Sequence, residues 1–254
     1  MRIDGAGAIV FGGASGLGAS TARRLSGDGA EVVIADLDEA RAQEVAADIG
    51  GLAVRCDVTD PDGVGAAVER AAAGSPRGLR IAVMCAGIGP IAKLIGREGP
   101  TDLEQFTRVI EVNLIGTINA LRLSAAAMVD GPAEDDGERG VCVCTASIAA
   151  YEGQIGQVGY AASKGGVVSL TLPVARELAR HGVRVMTIAP GVFETPMLGG
   201  LPEAAQAALG AAIPYPSRLG RPAEYAELVA HIVTNRMLNG EVIRLDGALR
   251  MAPR

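Results

Sequence analysis

Seven short apolar runs, each separated from the next by a stretch of helical character, constrain this chain more than any other feature. They fall at residues 8–11, 32–35, 52–55, 81–85, 141–145, 183–188 and 242–245. Strands so spaced pair in parallel through helical crossovers, and near-continuous apolar strands need cover on both faces. Helical stretches lie between them, at 15–25, 38–49, from Pro61 with Asp60 as a cap, at 101–128, and from residue 155 to a stop at His181-Gly182. The pattern predicts an α/β, doubly wound parallel sheet. No repeat or low-complexity linker divides the chain, so one domain is expected over residues 1–254.

Two segments depart from the alternation. Residues 131–140 are acidic and Gly-rich and read as a solvated loop. Residues 191–222 carry Pro196, Pro202, Pro214, Pro216 and Pro222 between a strand and the next clear helix. So long an excursion reads as a lid, or as an ordinary surface detour. Pro173 and Gly165-Gly166 weaken the helix that follows residue 155, which suggests tight packing there against another element or a second subunit.

Composition excludes several functions. A net charge of −6, three Phe, four Tyr and no Trp argue against a nucleic-acid partner and against an anionic membrane surface. No apolar run in the sequence suggests a membrane span, and Met1-Arg2-Ile3-Asp4-Gly5 does not read as a signal peptide, so a cytoplasmic protein is expected. Cys56, Cys85, Cys142 and Cys144 lie in apolar runs and read as buried hydrophobes, and with two His no metal site is expected. His181 and His231 close or sit in helices, which leaves a Ser–His–Asp hydrolase without a placed base.

Gly12-Gly13-Ala14-Ser15-Gly16-Leu17-Gly18 follows the first strand and opens the first helix. Glycine allows the tight turn and lets phosphate oxygens approach the backbone, where free N–H groups at the helix start meet negative charge. Asp36 ends the second strand, 18 residues after Gly18. A carboxylate there accepts from ribose hydroxyls and repels a 2′-phosphate, and Ala14, Ser15 and Leu37 offer such a phosphate no positive charge. NAD is therefore expected over NADP. Helix capping is the other use of Asp36, although Asp38 serves it as well. Asp57, before Val58, suits an adenine edge or a turn with Thr59, and Ala86-Gly87 leaves room for a cofactor at the end of the fourth strand.

Of the 23 basic residues only Lys93 and Lys164 are lysine. Lys164 follows Tyr160 by four positions, and Ser147 precedes Tyr160 by thirteen. Residues four apart share a helix face. A cation about 4 Å from a phenol is worth roughly 4 kcal/mol at an effective dielectric near 20, about three pKa units before burial is counted. Lys164 is thus expected to bring Tyr160 toward useful basicity. Alone, the spacing would describe a solvated helix face; the glycine turn, Asp36 and Ser147 together point to proton transfer.

Gly12 to Gly18, Asp36, Asp57-Val58, Ala86-Gly87, Asn113, Ser147, Tyr160 to Lys164 and Pro190-Gly191 together resemble the short-chain dehydrogenase/reductase family over essentially the whole chain. The runs 147–154, 184–191, 216–220 and 239–248 resemble its type II 3-hydroxyacyl-CoA dehydrogenase branch, which also oxidises hydroxysteroids. The resemblance implies a Rossmann-type seven-stranded sheet, a homotetramer and a place in fatty-acid metabolism. It implies that Tyr160 exchanges the hydroxyl proton, Ser147 holds the substrate oxygen, Lys164 binds the cofactor ribose and Asn113 anchors a water. It also implies that Pro190, Val192 and Thr195 line the carboxamide end and that Gln154 meets substrate. Family members often carry two Asn where this chain has Met84-Cys85, so neither is given a role. The expected reaction is NAD-linked oxidation of a secondary alcohol, foremost a 3-hydroxyacyl-CoA, beneath an apolar lid that includes Phe193, Met197, Leu198 and Leu201. Lys93 and Arg97 are either contacts for CoA phosphates or solvated charges. Alternatives are a hydroxysteroid or general alcohol dehydrogenase, and a cofactor-binding scaffold without turnover.

Overall fold

The computed structural model describes residues 1–200 and 202–253; the side chain of Met197, and Leu201 of the expected lid, lie outside the described residues. Seven strands form one parallel sheet: β1 (Gly7–Phe11), β2 (Glu31–Asp36), β3 (Leu52–Arg55), β4 (Leu79–Met84), β5 (Gly140–Thr145), β6 (Val183–Pro190) and β7 (Val242–Leu245). Their order is β3-β2-β1-β4-β5-β6-β7. The chain reverses its direction of winding between β1 and β4, which opens a crevice beyond the strand ends there.

Alternation along each strand sends neighbours to opposite layers. Ala8, Val10, Val32, Ile34, Ile81, Val83, Val141 and Val143 face one core, while Ile9, Phe11, Val33, Ala35, Ala82, Met84, Cys142 and Cys144 face the other. This double burial is why the strands read as unbroken apolar runs. Burying a side chain such as Phe11 contributes about 1.5–3 kcal/mol. The cysteines are free; Cys56, Cys142 and Cys144 are buried as expected while Cys85 is only partly so, and Cys142 and Cys144 share one face.

The helices are α1 (Gly16–Gly27), α2 (Glu39–Ile49), α3 (Pro61–Ala73), α4 (Leu103–Ile110), α5 (Gly116–Asp130), α6 (Val158–Ala179), α7 (Pro196–Gly199), α8 (Glu203–Ala211) and α9 (Pro222–Thr234). Asp38, Asp60 and Asp102 cap α2, α3 and α4 by accepting from the backbone N–H of Arg41, Asp62 and Glu104, each at 3.1 Å. The helix expected at 101–128 is interrupted: Glu111–Ile115 is a π-helical turn between α4 and α5. The stretch Leu103–Asp130 contains an 18-residue window of mean hydropathy 1.4, enough by length and composition for a membrane span. Its window is 56% buried inside the protein, as suits a core helix. Gly166 of α6 is explained by contact: a Cβ there would lie 2.7 Å from Leu114 Cδ2, on the π turn.

One expectation needs correction. The 131–140 loop is not fully solvated, because Glu138 is 7% exposed and pairs with Arg184 Nε at 2.8 Å and Arg236 Nε at 3.0 Å. The 191–222 excursion, read as a lid or a surface detour, carries helices of its own. It holds α7 and α8, and Arg218 returns to Glu224 of α9 through two hydrogen bonds of 2.9 and 2.7 Å.

Candidate active site

The glycine turn sits at the end of β1, beside the switch between β1 and β4. Gly12 adopts φ +74, and a Cβ on it would lie 2.5 Å from Ala86 N, so the ends of β1 and β4 meet only because that side chain is missing. A Cβ on Gly18 would collide with the Gly12 carbonyl oxygen. Ser15 stands at the N-cap of α1 with extended backbone and makes no side-chain cap hydrogen bond. The first turn of α1 therefore faces the crevice with its backbone donors, the arrangement that receives phosphate. Gly16 approaches Thr195 Cγ2 to 3.3 Å from its would-be Cβ, which brings the 191–222 segment over the turn.

Asp36 accepts from Ala14 N through Oδ2 and from Asp38 N through Oδ1, both at 3.0 Å. Helix capping falls to Asp38, and Asp36 is left against the glycine turn. Asp57 Oδ1 accepts from Thr59 N at 2.9 Å and Thr59 Oγ1 at 2.7 Å, which holds its carboxyl below the usual range. The turn function of Asp57 is thus in place. Beside it the Cys56 thiol is pushed up to about 11, first by burial and then by Asp57, Asp60 and Asp36. Val58 is buried, and its carbonyl accepts from Asn119 at 2.9 Å.

The reacting end is built on β5 and α6. Ser147 follows β5 and accepts from Ala149 N at 3.1 Å. Lys164 is 4% exposed, and its Nζ donates to the Thr145 carbonyl at 2.8 Å. The same Nζ lies 5.8 Å from the centre of the Tyr160 ring. A Cβ on Gly87 would lie 3.5 Å from that Nζ and 3.1 Å from Asn113 Oδ1, so this glycine keeps the cleft open above both.

The expected lowering of the Tyr160 pKa is not found. Burial raises the phenol above its ordinary value, with the Ser147 hydroxyl pulling the other way. Burial likewise lowers Lys164 to about 8, against Cys85 and Cys144. The physical reason is that both charges would be desolvated, and the ammonium is spent on a carbonyl instead of the phenolate. The resting pair is therefore suited to donating a proton from neutral Tyr160.

Asn113 lies fully buried in the π turn. Its Oδ1 accepts from Ile88 N at 2.8 Å, and its Nδ2 donates to Ile88 O at 2.9 Å and to Ser163 Oγ at 3.0 Å. Ser163 in turn donates to Tyr160 O at 2.7 Å. Asn113 thus ties the segment after β4 to the turn of α6 that carries Tyr160. Gln154 donates through Nε2 to Ala252 O at 2.9 Å, so in this structure it fastens the C-terminal tail. Pro190 ends β6 beside Leu245, and Val192 packs against Ile148, Ile213 and Leu249. Lys93 and Arg97 are exposed on the segment after β4, where Ala92 N bonds Gly156 O at 2.8 Å near the start of α6. Among the described residues no cluster of His, Cys, Asp and Glu fits a metal ion.

A model of the short chain dehydrogenase family matches residues 6–206. The chain belongs to the short-chain dehydrogenase family. It is 50% identical to the 3-hydroxyacyl-CoA dehydrogenase type-2 of Homo sapiens, across 99% of this chain and 97% of that one. It is 49% identical to the protein of that name from Drosophila melanogaster, across 99% and 100%. The (3R)-3-hydroxyacyl-CoA dehydrogenase of Homo sapiens is 33% identical, across 98% and 97%. The crystal structure of 3-hydroxyacyl-CoA dehydrogenase type-2 from Mycobacterium avium matches with a TM-score of 0.94 at 48% identity, covering 98% of both chains. In this short-chain dehydrogenase the sequence reading missed three participants: the Thr145 carbonyl, Ser163 and the π turn around Asn113. Ser163 sits directly before Lys164, which was the available signal; the other two depend on contacts across the fold.

Proposed function

We propose that this dehydrogenase uses NAD to interconvert a 3-hydroxyacyl-CoA and its 3-oxoacyl-CoA, as a cytoplasmic homotetramer. The observation that carries the reading is Tyr160 against Ser147, with Lys164 buried one turn on, at the strand ends beside a glycine-lined crevice. The crevice fits a dinucleotide: Gly12 and Gly18 let the turn pack tightly against β4 and itself, Gly87 keeps space beside Asn113 and Lys164, and Ser15 makes no side-chain cap at the start of α1. Asp36, at the end of β2 against the glycine turn, disfavours an extra phosphate at the adenosine end, which supports NAD over NADP.

NAD, when bound, supplies the hydride acceptor or donor. Gly12 to Gly18 and Asp36 would hold its adenosine half; Lys164, Val192 and Thr195 would hold the other. Ser147 positions the substrate oxygen. In the reductive direction neutral Tyr160 donates its proton to that oxygen as it gains charge, and in the oxidative direction it takes the proton back. Its raised pKa suits the first step. Lys164, one turn on along α6, is the adjacent titrating group, lowered by burial to about 8.

The acyl-CoA assignment rests on the relatives' names together with the exposed rim of Ile91, Leu94 and Ile95 around Lys93. The tetramer rests on apolar side chains left in solvent on α4, α5 and α6: Leu103, Ile118 and Leu172. Turnover of acetoacetyl-CoA with NADH, compared with a steroid ketone and with NADPH, tests the reading. Preference for acetoacetyl-CoA and NADH is expected, with Tyr160→Phe inactive yet still binding NADH. Preference for the steroid, or full activity in Tyr160→Phe, would overturn it.

A further inference from the structure

Beside the proton-transfer groups lies a largely buried polar cluster that the reaction above leaves without a task. Tyr225, in the first turn of α9, has 0% exposure, and a phenol that deep needs a partner for its hydroxyl. Its Oη shares a 2.7 Å hydrogen bond with Thr145 Oγ1. Cys85 Sγ closes the group, 3.6 Å from Thr145 Oγ1 and 3.8 Å from Tyr225 Oη. Burial holds the Tyr225 phenol well above its ordinary value, so it stays a neutral hydroxyl. Phenylalanine would fill the same space; the hydroxyl adds only these polar contacts.

What makes the cluster more than filler is the other end of Thr145. Its carbonyl is the acceptor that holds Lys164 Nζ at 2.8 Å. Thr145 is the last residue of β5, where the ladder to β6 ends, so its side chain supplies part of its anchorage. Tyr225 therefore grips one side of a residue whose other side sets the lysine. The next residue before it, Glu224, grips Arg218 at the end of the 191–222 segment, so one helix turn fixes both.

We propose that Tyr225 is a positioning residue for Lys164, acting through the Thr145 hydroxyl to fix the carbonyl that holds the ammonium. The proposal rests on Lys164 serving proton transfer at Tyr160. The titratable groups that face Lys164 are Tyr160 on its own helix, Cys144 on β5 and Cys85 after β4, with Tyr225 behind Thr145. Tyr160 and Cys144 are untouched in a Tyr225→Phe variant, whereas Cys85 loses its 3.8 Å contact with the Tyr225 hydroxyl.

Because the chain has only two lysines, protein labelled with 13C at lysine Cε gives one resonance for exposed Lys93 and one for buried Lys164. With a less fixed acceptor the ammonium is less favoured, so Lys164 should titrate about half a pH unit or more lower in Tyr225→Phe while Lys93 stays put. Ketone reduction should lose about fivefold in kcat, the worth of one hydrogen bond, with KM for NADH within about twofold. Thr145→Val should reproduce both effects, Thr145→Ser should restore them, and the double variant should be no worse than the worse single. An unmoved Lys164 titration in Tyr225→Phe, or full additivity in the double variant, would overturn the proposal. Were the wild type to reduce no ketone, the proposed function would fall while the NMR titration still decided this point.

Discussion

The ammonium of Lys164 lies 5.8 Å from the centre of the Tyr160 ring. The two share a helix face as their spacing requires, but the lysine reaches past the ring to a backbone carbonyl. Burial then governs both: it raises the phenol and lowers the lysine to about 8.

A buried ammonium at that value is a burden on the fold. The folded pKa lies below the unfolded one, so the unfolded chain binds more protons between about pH 8 and 10.5, and this group's contribution to stability rises with pH through that window. Below pH 8 the charge costs on the order of 3 kcal/mol. Lys164→Met removes it but leaves the Thr145 carbonyl unpaired, at about 1–3 kcal/mol. The expected outcome is a Tm at pH 7 no lower than wild type, with kcat/KM down about 10²–10⁴-fold. Thermal denaturation at pH 7 and pH 10 should show the variant's advantage shrinking at the higher pH.

Asp36 has both oxygens engaged by the turn it faces, at Ala14 N and Asp38 N. Asp36→Ala should therefore cost about 1–2 kcal/mol of stability through unpaired donors, and also weaken the preference for NADH. Urea unfolding gives the first quantity and the ratio of kcat/KM for NADH and NADPH gives the second.

Gly18→Ala adds a methyl group where the Gly12 carbonyl already stands. The backbone must move, at about 1–3 kcal/mol or more. Binding of NADH, followed by fluorescence, should fall further than stability does, because the displaced turn is the one that cradles phosphate.

Glu138→Ala should be the most damaging of the charge removals outside the crevice. It leaves Arg184, 7% exposed, without its 2.8 Å partner, although Arg184 keeps hydrogen bonds to Ile232 O, Val233 O and Leu238 O. A loss of about 3–5 kcal/mol is expected, read as a fall in urea midpoint with unchanged kcat for the folded fraction.

The sheet was legible because its central strands are buried on both faces, and runs such as Val32 to Ala35 or Val141 to Thr145 contain no polar residue except Thr145. The glycine turn and the Tyr160–Lys164 spacing were legible because their chemistry is local. What the sequence hid depends on partners far along the chain. Glu138 reads as one acid in an acidic loop until Arg184 and Arg236 arrive from β6 and the end of α9. Asp57 reads equally as an adenine contact or a turn residue, and the fold adds only that Thr59 engages its Oδ1. The effect of Lys164 on Tyr160 was misjudged because spacing gives proximity, whereas burial and the direction of Nζ decide the electrostatics.

The π turn at Glu111–Ile115 stores information in arithmetic as much as in chemistry. One surplus residue offsets the angular phase of α4 from that of α5 by about 100°. Asn113 can meet Ile88 and Ser163 because of that offset. Shortening this stretch by one amino acid would let an unbroken α-helix form, conserve nearly the whole composition, and rotate the asparagine out of reach, so the spacing itself is under constraint here.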